Sequence, residues 1–535
     1  MKGQCLPFSQ IPHTARLFLD YLSYSPSIRP FYPRSPLFPE WIKDEAPLVR
    51  YDEARRHAVS DVLERQNKAW GSGIKTLANI DRLRRGALAA VTGQQVVLFG
   101  GPLFSVFKAL TAVKLADQAT AAGVETVPIF WLATEDHDLA EVNHVSLLSD
   151  GGAPEVITTE SRGVTDAPVG QVRFGPEIGP VLDRAASLLG ESDVANWLRE
   201  SYAPGQTLGS GFARLFARLF QDWGVILLDP SDPELHQLAA PILKAAIERS
   251  MEIDEALLAR GKELESAGYH QQVKVTPATT LLFEVRDSAR TAIRRKNGGF
   301  AVGTEPVTTG DLAQSVLAHP EKFNPNVLLR PVMQDYLLPT LTYTGGAAEV
   351  AYFAQVGVVY EKLLGRVTPV LPRFSATIVE PKPQRILERY GLTLVDLFHG
   401  PEKVRERIAA QSMSGDLKRT FEDAKGSLDK CMRAIRESLT RLDPTLTDAA
   451  GNASAKMHHQ LSQLEARAAR AESLRNDVIS RHADAVSSAL FPDKVLQERE
   501  IAGASFLARY GMGLLSDVYQ LIHTDCHDHQ VVEMQ

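Results

Sequence analysis

The densest run of reactive side chains follows the apolar Phe130-Trp131-Leu132-Ala133: Thr134-Glu135-Asp136-His137-Asp138, continuing to Glu141, Asn143 and His144. Three carboxylates and an imidazole in four consecutive positions cannot all be buried without partners, because an isolated buried charge is very costly. An open cleft suits them. There Glu135, Asp136, His137 and Asp138 can hold an ammonium group, orient Mg²⁺ on ATP, or pass the proton of an attacking amine to His137. A solvated helix start with capping acids accounts for the same residues equally well.

A second run, Thr92-Gly93-Gln94-Gln95 leading to Gly100-Gly101 and Lys108, places a strand, a glycine-containing loop and a helix start in sequence. That arrangement presents backbone N–H groups and a positive dipole end to an anion, with Lys108 able to reach back toward it. It matches neither the dinucleotide fingerprint nor the P-loop pattern, and a tight strand-to-helix turn with a surface lysine is the plain alternative. Tyr343-Thr344-Gly345-Gly346, after Asp335, is a further Gly-rich helix start able to close the same cleft. Arg373 suits a carboxylate or phosphate, although a structural salt bridge is as common a use.

His523, Cys526, His527 and His529 are the one grouping with metal-ligand chemistry. Their spacing matches no compact zinc motif, so zinc is not expected. Arg294-Arg295-Lys296 beside Asn297-Gly298 reads as a solvated hairpin tip.

Positioning these residues requires an α/β frame. Apolar runs at Leu88–Val91, Val127–Leu132 and Val225–Leu228 each end in a polar or Gly-rich turn, with helical periodicity between them, clearest at 103–119. An open sheet follows, and ligands of such sheets bind beyond the C-terminal ends of the strands. Residues 1–80 read as a proline- and aromatic-rich wrapping segment followed by a helix over 52–80. The α/β core occupies 81–270 and 326–400, with an antiparallel insert at 271–325 built from strands at 271–275, 281–285 and 300–302. Apolar residues at alternating steps of three and four predict a coiled-coil hairpin over 401–490, broken at Asp443-Pro444 and Gly451-Asn452. Its arms are about 60 Å long for ~40 residues each. Residues 491–535 are expected to pack on the core.

The chain has 535 residues, ordinary globular composition and a net charge of −7 from 65 acidic and 58 basic side chains. This speaks against polyphosphate-backbone binding, so no nucleic-acid partner is expected. Three scattered cysteines imply no disulfide framework. With no apolar leader and no run near the ~18 residues that cross a bilayer, a cytoplasmic protein without membrane contact is expected.

Several of these segments together resemble the bacillithiol biosynthesis cysteine-adding family. The resemblance runs in order through Thr92-Gly93-Gln94-Gln95, Phe99-Gly100-Gly101-Pro102-Leu103, 130–138 and Val142-Asn143-His144. It continues through Asn326–Pro331, Gln334–Thr340, Gly345-Gly346 and Leu496-Gln497-Glu498-Arg499. Val96-Val97 and Phe104-Ser105 depart from the family's pattern. The resemblance implies a Rossmann-like, nucleotidyltransferase-type core with inserted connecting segments, and a coiled-coil arm that pairs protomers into a homodimer. It also implies an amide-forming ligase that joins cysteine to the amine of glucosaminyl malate.

Amide formation in water needs an activated carboxylate and a neutral amine, so ATP with Mg²⁺ is the expected activator, with its phosphates at the first Gly loop. Glu135, Asp136 and His137 would handle the amine and its proton. Two alternatives stay open: a nucleotidyltransferase-like enzyme acting on another sugar or amino acid, and a non-catalytic coiled-coil scaffold.

Overall fold

The computed structural model describes residues 2–149, 152–160, 167–286, 289–296, 298–412, 415–475 and 477–534. Leu88–Gln95, Thr126–Ala133, Ile226–Leu228, Thr340–Gly345 and Val370–Pro372 form one sheet, and every neighbouring pair is parallel. In chain order the sheet reads fifth, fourth, first, second, third. This is the doubly wound Rossmann order, whose direction reverses between the first and fourth strands. The three strands expected from their apolar runs are its first, second and third. They are apolar without alternation because both faces of the sheet are covered. Helix Phe104–Ala121 follows the first strand, and Ala347–Leu363, buried without interruption from Val350 to Tyr360, follows the fourth.

Residues of the proline-rich N-terminal segment pack on this core. Phe38 and Trp41 pack against Leu115, Ala116 and Ala119, and the Tyr32 hydroxyl donates to the Val350 carbonyl at 2.7 Å. The helix expected over 52–80 is two, Glu53–Trp70 and Ile74–Arg84, because Gly71 closes the first in the left-handed conformation (φ 78°).

In the insert, an antiparallel sheet is built from Thr279–Arg286, Ala289–Lys296, Gly299–Val302, Glu305–Val307 and Phe323–Pro325. The strand expected at 271–275 does not form. The Gln355 side-chain amide instead donates to and accepts from the Val273 backbone, both at 2.8 Å, taking the place of a neighbouring strand. Lys296 pairs with Gly299 across the expected hairpin tip, although Asn297 itself lies outside the described residues.

The arm consists of Gly415–Leu442 and Leu446–Arg475. At 1.5 Å per residue each spans about 45 Å, shorter than the expected 60 Å. The flanking stretches form separate helices, Pro401–Ser412 and Asp477–Leu490, and Val404 and Ile408 share a core with Ile479, Ala483 and Val486. Asp443 turns the chain by accepting from the Thr445 amide and hydroxyl, whereas Gly451-Asn452 lies inside the second helix. One feature had no local signal: strand Lys2–Leu6 pairs antiparallel with His529–Glu533, which also runs beside Ala376–Val379.

Candidate active site

At the switch point, between the ends of the first and fourth strands, lies a buried charge cluster. Lys108 reaches back from its helix to the Gly93 carbonyl (2.7 Å) and the Gln94 side chain (2.9 Å). It is not a surface lysine, however; its charge is met by Glu349 at 2.6 Å. Burial pushes the Lys108 ammonium down from its usual range, and Glu349 opposes that. Glu349 also accepts from the Tyr343 hydroxyl (2.6 Å) and the Gly346 amide (2.8 Å). Gly345 has to be glycine, because a Cβ there would sit 2.8 Å from the Glu349 side chain.

Arg330 donates to the Tyr352 hydroxyl at 3.1 Å and stands over the Tyr343 ring. Arg373 is spent on the buried Glu498 at 2.7 Å, which realises the salt-bridge alternative. The Arg499 guanidinium lies over the Phe104 ring beside Arg373 and makes no hydrogen bond or ion pair among the described residues. Four cations, Lys108, Arg330, Arg373 and Arg499, thus face two acids, Glu349 and Glu498.

The glycine loop itself is closed. Gly100 and Gly101 have positive φ (87° and 71°), and their amides donate to the Val97 and Leu98 carbonyls. The following Leu103 amide is taken by Ile501 at 2.8 Å. A Cβ on Gly100 would meet Leu215 and Phe216, so these glycines serve core packing on that side. Thr92 is buried and donates to the Thr344 carbonyl (2.8 Å), stitching the first strand to the fourth.

Beside this cluster, past the end of the second strand, a cavity of about 350 Å³ is lined by Trp131, Phe283, Glu135, Asp136, His137, Arg290 and Arg330. It has the size of a small-molecule site. Glu135 binds His236 Nε2 at 2.7 Å, and the other ring nitrogen of His236 donates to the Pro320 carbonyl at 2.9 Å. Asp136 accepts from Gln95 Nε2 (2.6 Å), which also donates to Glu141 (2.9 Å). Arg290 donates to His137 Nδ1 at 2.8 Å and lies over Phe283. Burial lowers the Arg290 guanidinium from its usual range, against the pull of Asp136 and Glu135. With Nδ1 accepting from Arg290, a neutral His137 carries its proton on Nε2.

Behind Glu135, Thr134 donates to the half-buried Asp229 at 2.5 Å, and desolvation pushes the Asp229 carboxyl up. Asp138 is the helix cap of the plain alternative, accepting from the Glu141 amide.

Other sequence candidates lie elsewhere. Asn143 and His144 pair with each other at 3.1 Å, exposed at the start of a small hairpin. Asp335 accepts from the Tyr360 hydroxyl and lines a hollow of about 860 Å³ near the opposite, N-terminal end of the fourth strand. That hollow is larger than the acidic cleft but stands on the wrong side of a parallel sheet for its ligands. His523 and Cys526 are exposed, His527 is bound to the Pro36 carbonyl, and His529 is buried between Ser375 and Thr377. No group of three metal-ligating side chains occurs among the described residues. Among the residues not singled out from sequence, Glu349 had a signal, three positions after Gly346 in a capping pattern. Arg330 lay within the Asn326–Pro331 stretch of the family resemblance without a role of its own, and His236 and Arg290 had no signal.

Residues 1–374 match the family description "Bacillithiol biosynthesis BshC, N-terminal Rossmann-like domain", and residues 376–534 match the corresponding "C-terminal coiled-coil domain". The chain belongs to the bacillithiol biosynthesis BshC family. It is 47% identical over 534 residues to a relative from Koribacter versatilis (strain Ellin345), covering 100% of both chains. It is 35% identical to one from Solibacter usitatus (strain Ellin6076), covering 99% of this chain and 100% of the relative. With one from Salinibacter ruber (strain DSM 13855 / M31) it shares 34%, covering 96% of each. Each of these relatives is named "Putative cysteine ligase BshC". The boundary between the two BshC domains falls beside Arg373, so the Arg373–Glu498 pair ties one domain to the other.

Proposed function

We propose that this protein is a cysteine ligase that joins the carboxylate of L-cysteine to the amine of glucosaminyl malate, closing bacillithiol synthesis in the cytoplasm. The observation that carries this reading is the acidic cleft. It holds Glu135 and Asp136 on one side and Arg290 and Arg330 on the other, at the C-terminal edge of the sheet. Carboxylates suit an amine, guanidiniums suit a carboxylate, and amide formation needs both groups held together.

The carboxylate must be activated first, and ATP with Mg²⁺ is the activator that fits. Among the described residues, the neighbouring switch point has cations in excess, the Arg499 guanidinium has no acid partner, and the buried Ser105 and Thr344 hydroxyls have no hydrogen-bond partner. Lys108, Arg373 and Arg499 would face the phosphates there. Attack by the amine then forms the C–N bond, releases the activating group and leaves one proton to be removed. Glu135 Oε2, with no partner among the described residues, is the acceptor nearest to hand. Asp136, His137 and Gln95 would orient the amine. In the cell, a second copy of the chain is the proposed partner, paired through the arm.

Mass-spectrometric detection of cysteinyl-glucosaminyl malate tests the reading, using purified protein, cysteine and glucosaminyl malate with and without Mg-ATP. Product only with ATP is expected. Product in both reactions overturns the activator, and none in either overturns the ligase reading. Asp136→Ala should lower product formation by about 10²-fold; an unchanged rate would remove the acidic cleft from the reaction.

A further inference from the structure

His236 lies on helix Pro233–Glu248, a hundred positions from the acidic run, and is 2% exposed. Its two ring nitrogens meet two oxygens. The Pro320 carbonyl can only accept, so Nδ1 carries a proton and donates at 2.9 Å. The Glu135 carboxylate oxygen at 2.7 Å also accepts, so Nε2 carries a proton as well. A ring with both nitrogens protonated is an imidazolium.

We infer that His236 is a positioning residue: as a buried imidazolium clamped between Pro320 and Glu135, it fixes the Glu135 carboxylate with Oε1 occupied and Oε2 free for the substrate's amine. The identity of that amine rests on the function proposed above; the protonation of His236 does not.

The surroundings support the charged ring. Burial works against it, but the Glu135 charge and hydrogen bond, the Pro320 carbonyl and Glu321 outweigh that, and His236 is raised above its ordinary value. Glu321 comes from the turn Pro320–Lys322, where His319 stands 3.6 Å from it. From helix Glu53–Trp70, Arg65 is spent on Asp232 and Glu234 at the start of the histidine's own helix. Asp229 lies behind Glu135, with its carboxyl raised by burial and by Glu135. On the cleft side, Arg290 acts on both Glu135 and Asp136 and is bonded to His137. Of the charged groups, Glu135 alone forms a hydrogen bond with the His236 ring. Removing its charge should leave burial in control and return the ring to neutrality.

Histidine side-chain NMR on the full-length protein, selectively labelled with ¹⁵N-histidine, tests the inference. One ring, absent from the spectrum of His236→Gln, should stay doubly protonated at a pH just above the ordinary histidine value of ~6.5 and become neutral at that pH in Glu135→Gln. A neutral ring in the unmodified protein, or an unchanged ring in Glu135→Gln, overturns it. Kinetics give an independent reading of the role. In His236→Gln the KM for the amine substrate should rise about tenfold while that for cysteine is retained, the loss of one charge-assisted contact. Equal loss for both substrates would make His236 merely structural. If the unmodified protein forms no product, the ligase reading fails while the NMR experiment still decides the state of His236.

Discussion

At Lys108 a full positive charge is 4% exposed at the hinge of the sheet, tolerable only because Glu349 lies 2.6 Å away. Breaking such a pair from one side strands the other charge, at a cost of about 3 kcal/mol or more. Glu349→Gln should therefore lower unfolding stability by about that amount in urea titration, and Lys108→Met combined with Glu349→Gln should recover much of it. If the single variant is as stable as the parent, the pair is not the buried unit described here. Glu349 also holds Tyr343 and the Gly346 amide, so the same variant should loosen the turn that faces Arg499.

Strand His529–Glu533 is the element that joins the two ends of the chain to the second domain, and His529 anchors it. Both its ring nitrogens are bonded, to Ser375 (2.8 Å) and Thr377 (2.9 Å), beside Glu498. Burial, more than the nearby Arg373, pushes this imidazole down to about 4, with Glu498 opposing. A histidine held neutral when folded but free to protonate when unfolded contributes its full stability above its unfolded value of ~6.5 and loses it as pH falls toward 4. The loss approaches roughly 3 kcal/mol at the acid end. His236 has the opposite sign, since its raised value gives stability that is lost as pH rises through it. Thermal unfolding from about pH 7 to pH 4.5 should show a steeper acid decline for the parent than for His529→Gln. Parallel curves would refute the assignment.

Among the described residues, the arm exposes the large apolar side chains of Leu417, Ile435, Leu442, Met457 and Leu464. Met457 and Leu464 are 47% and 56% exposed, and with Leu428 and Leu461 they line a shallow groove of about 570 Å³. A two-helix arm cannot cover such a seam by itself, and a second copy is the proposed cover. Light scattering should give a dimer for the parent and a monomer for Leu464→Glu. A monomeric parent would overturn the pairing. Among the described residues no helix is long and apolar enough to cross a membrane.

Period and punctuation make much of this protein legible in its sequence. Unalternated apolar runs marked the central strands because a parallel sheet is covered on both faces, and the three-four spacing marked the arm because a seam must face a partner helix. The acidic run was legible as well, since so many charges cannot be buried at one strand end. Tertiary structure decided what those residues are bonded to. His236 and Arg290, remote in sequence from residues 134–138, hold Glu135 and His137. The Gly100-Gly101 loop, which resembled an anion cradle, is closed by Leu215, Phe216 and the Ile501 carbonyl. Helix and strand periods report which face of an element is apolar; they carry no information about which distant side chain will fill a hydrogen bond. For the same reason the pairing of Lys2–Leu6 with His529–Glu533 appeared only in the folded chain.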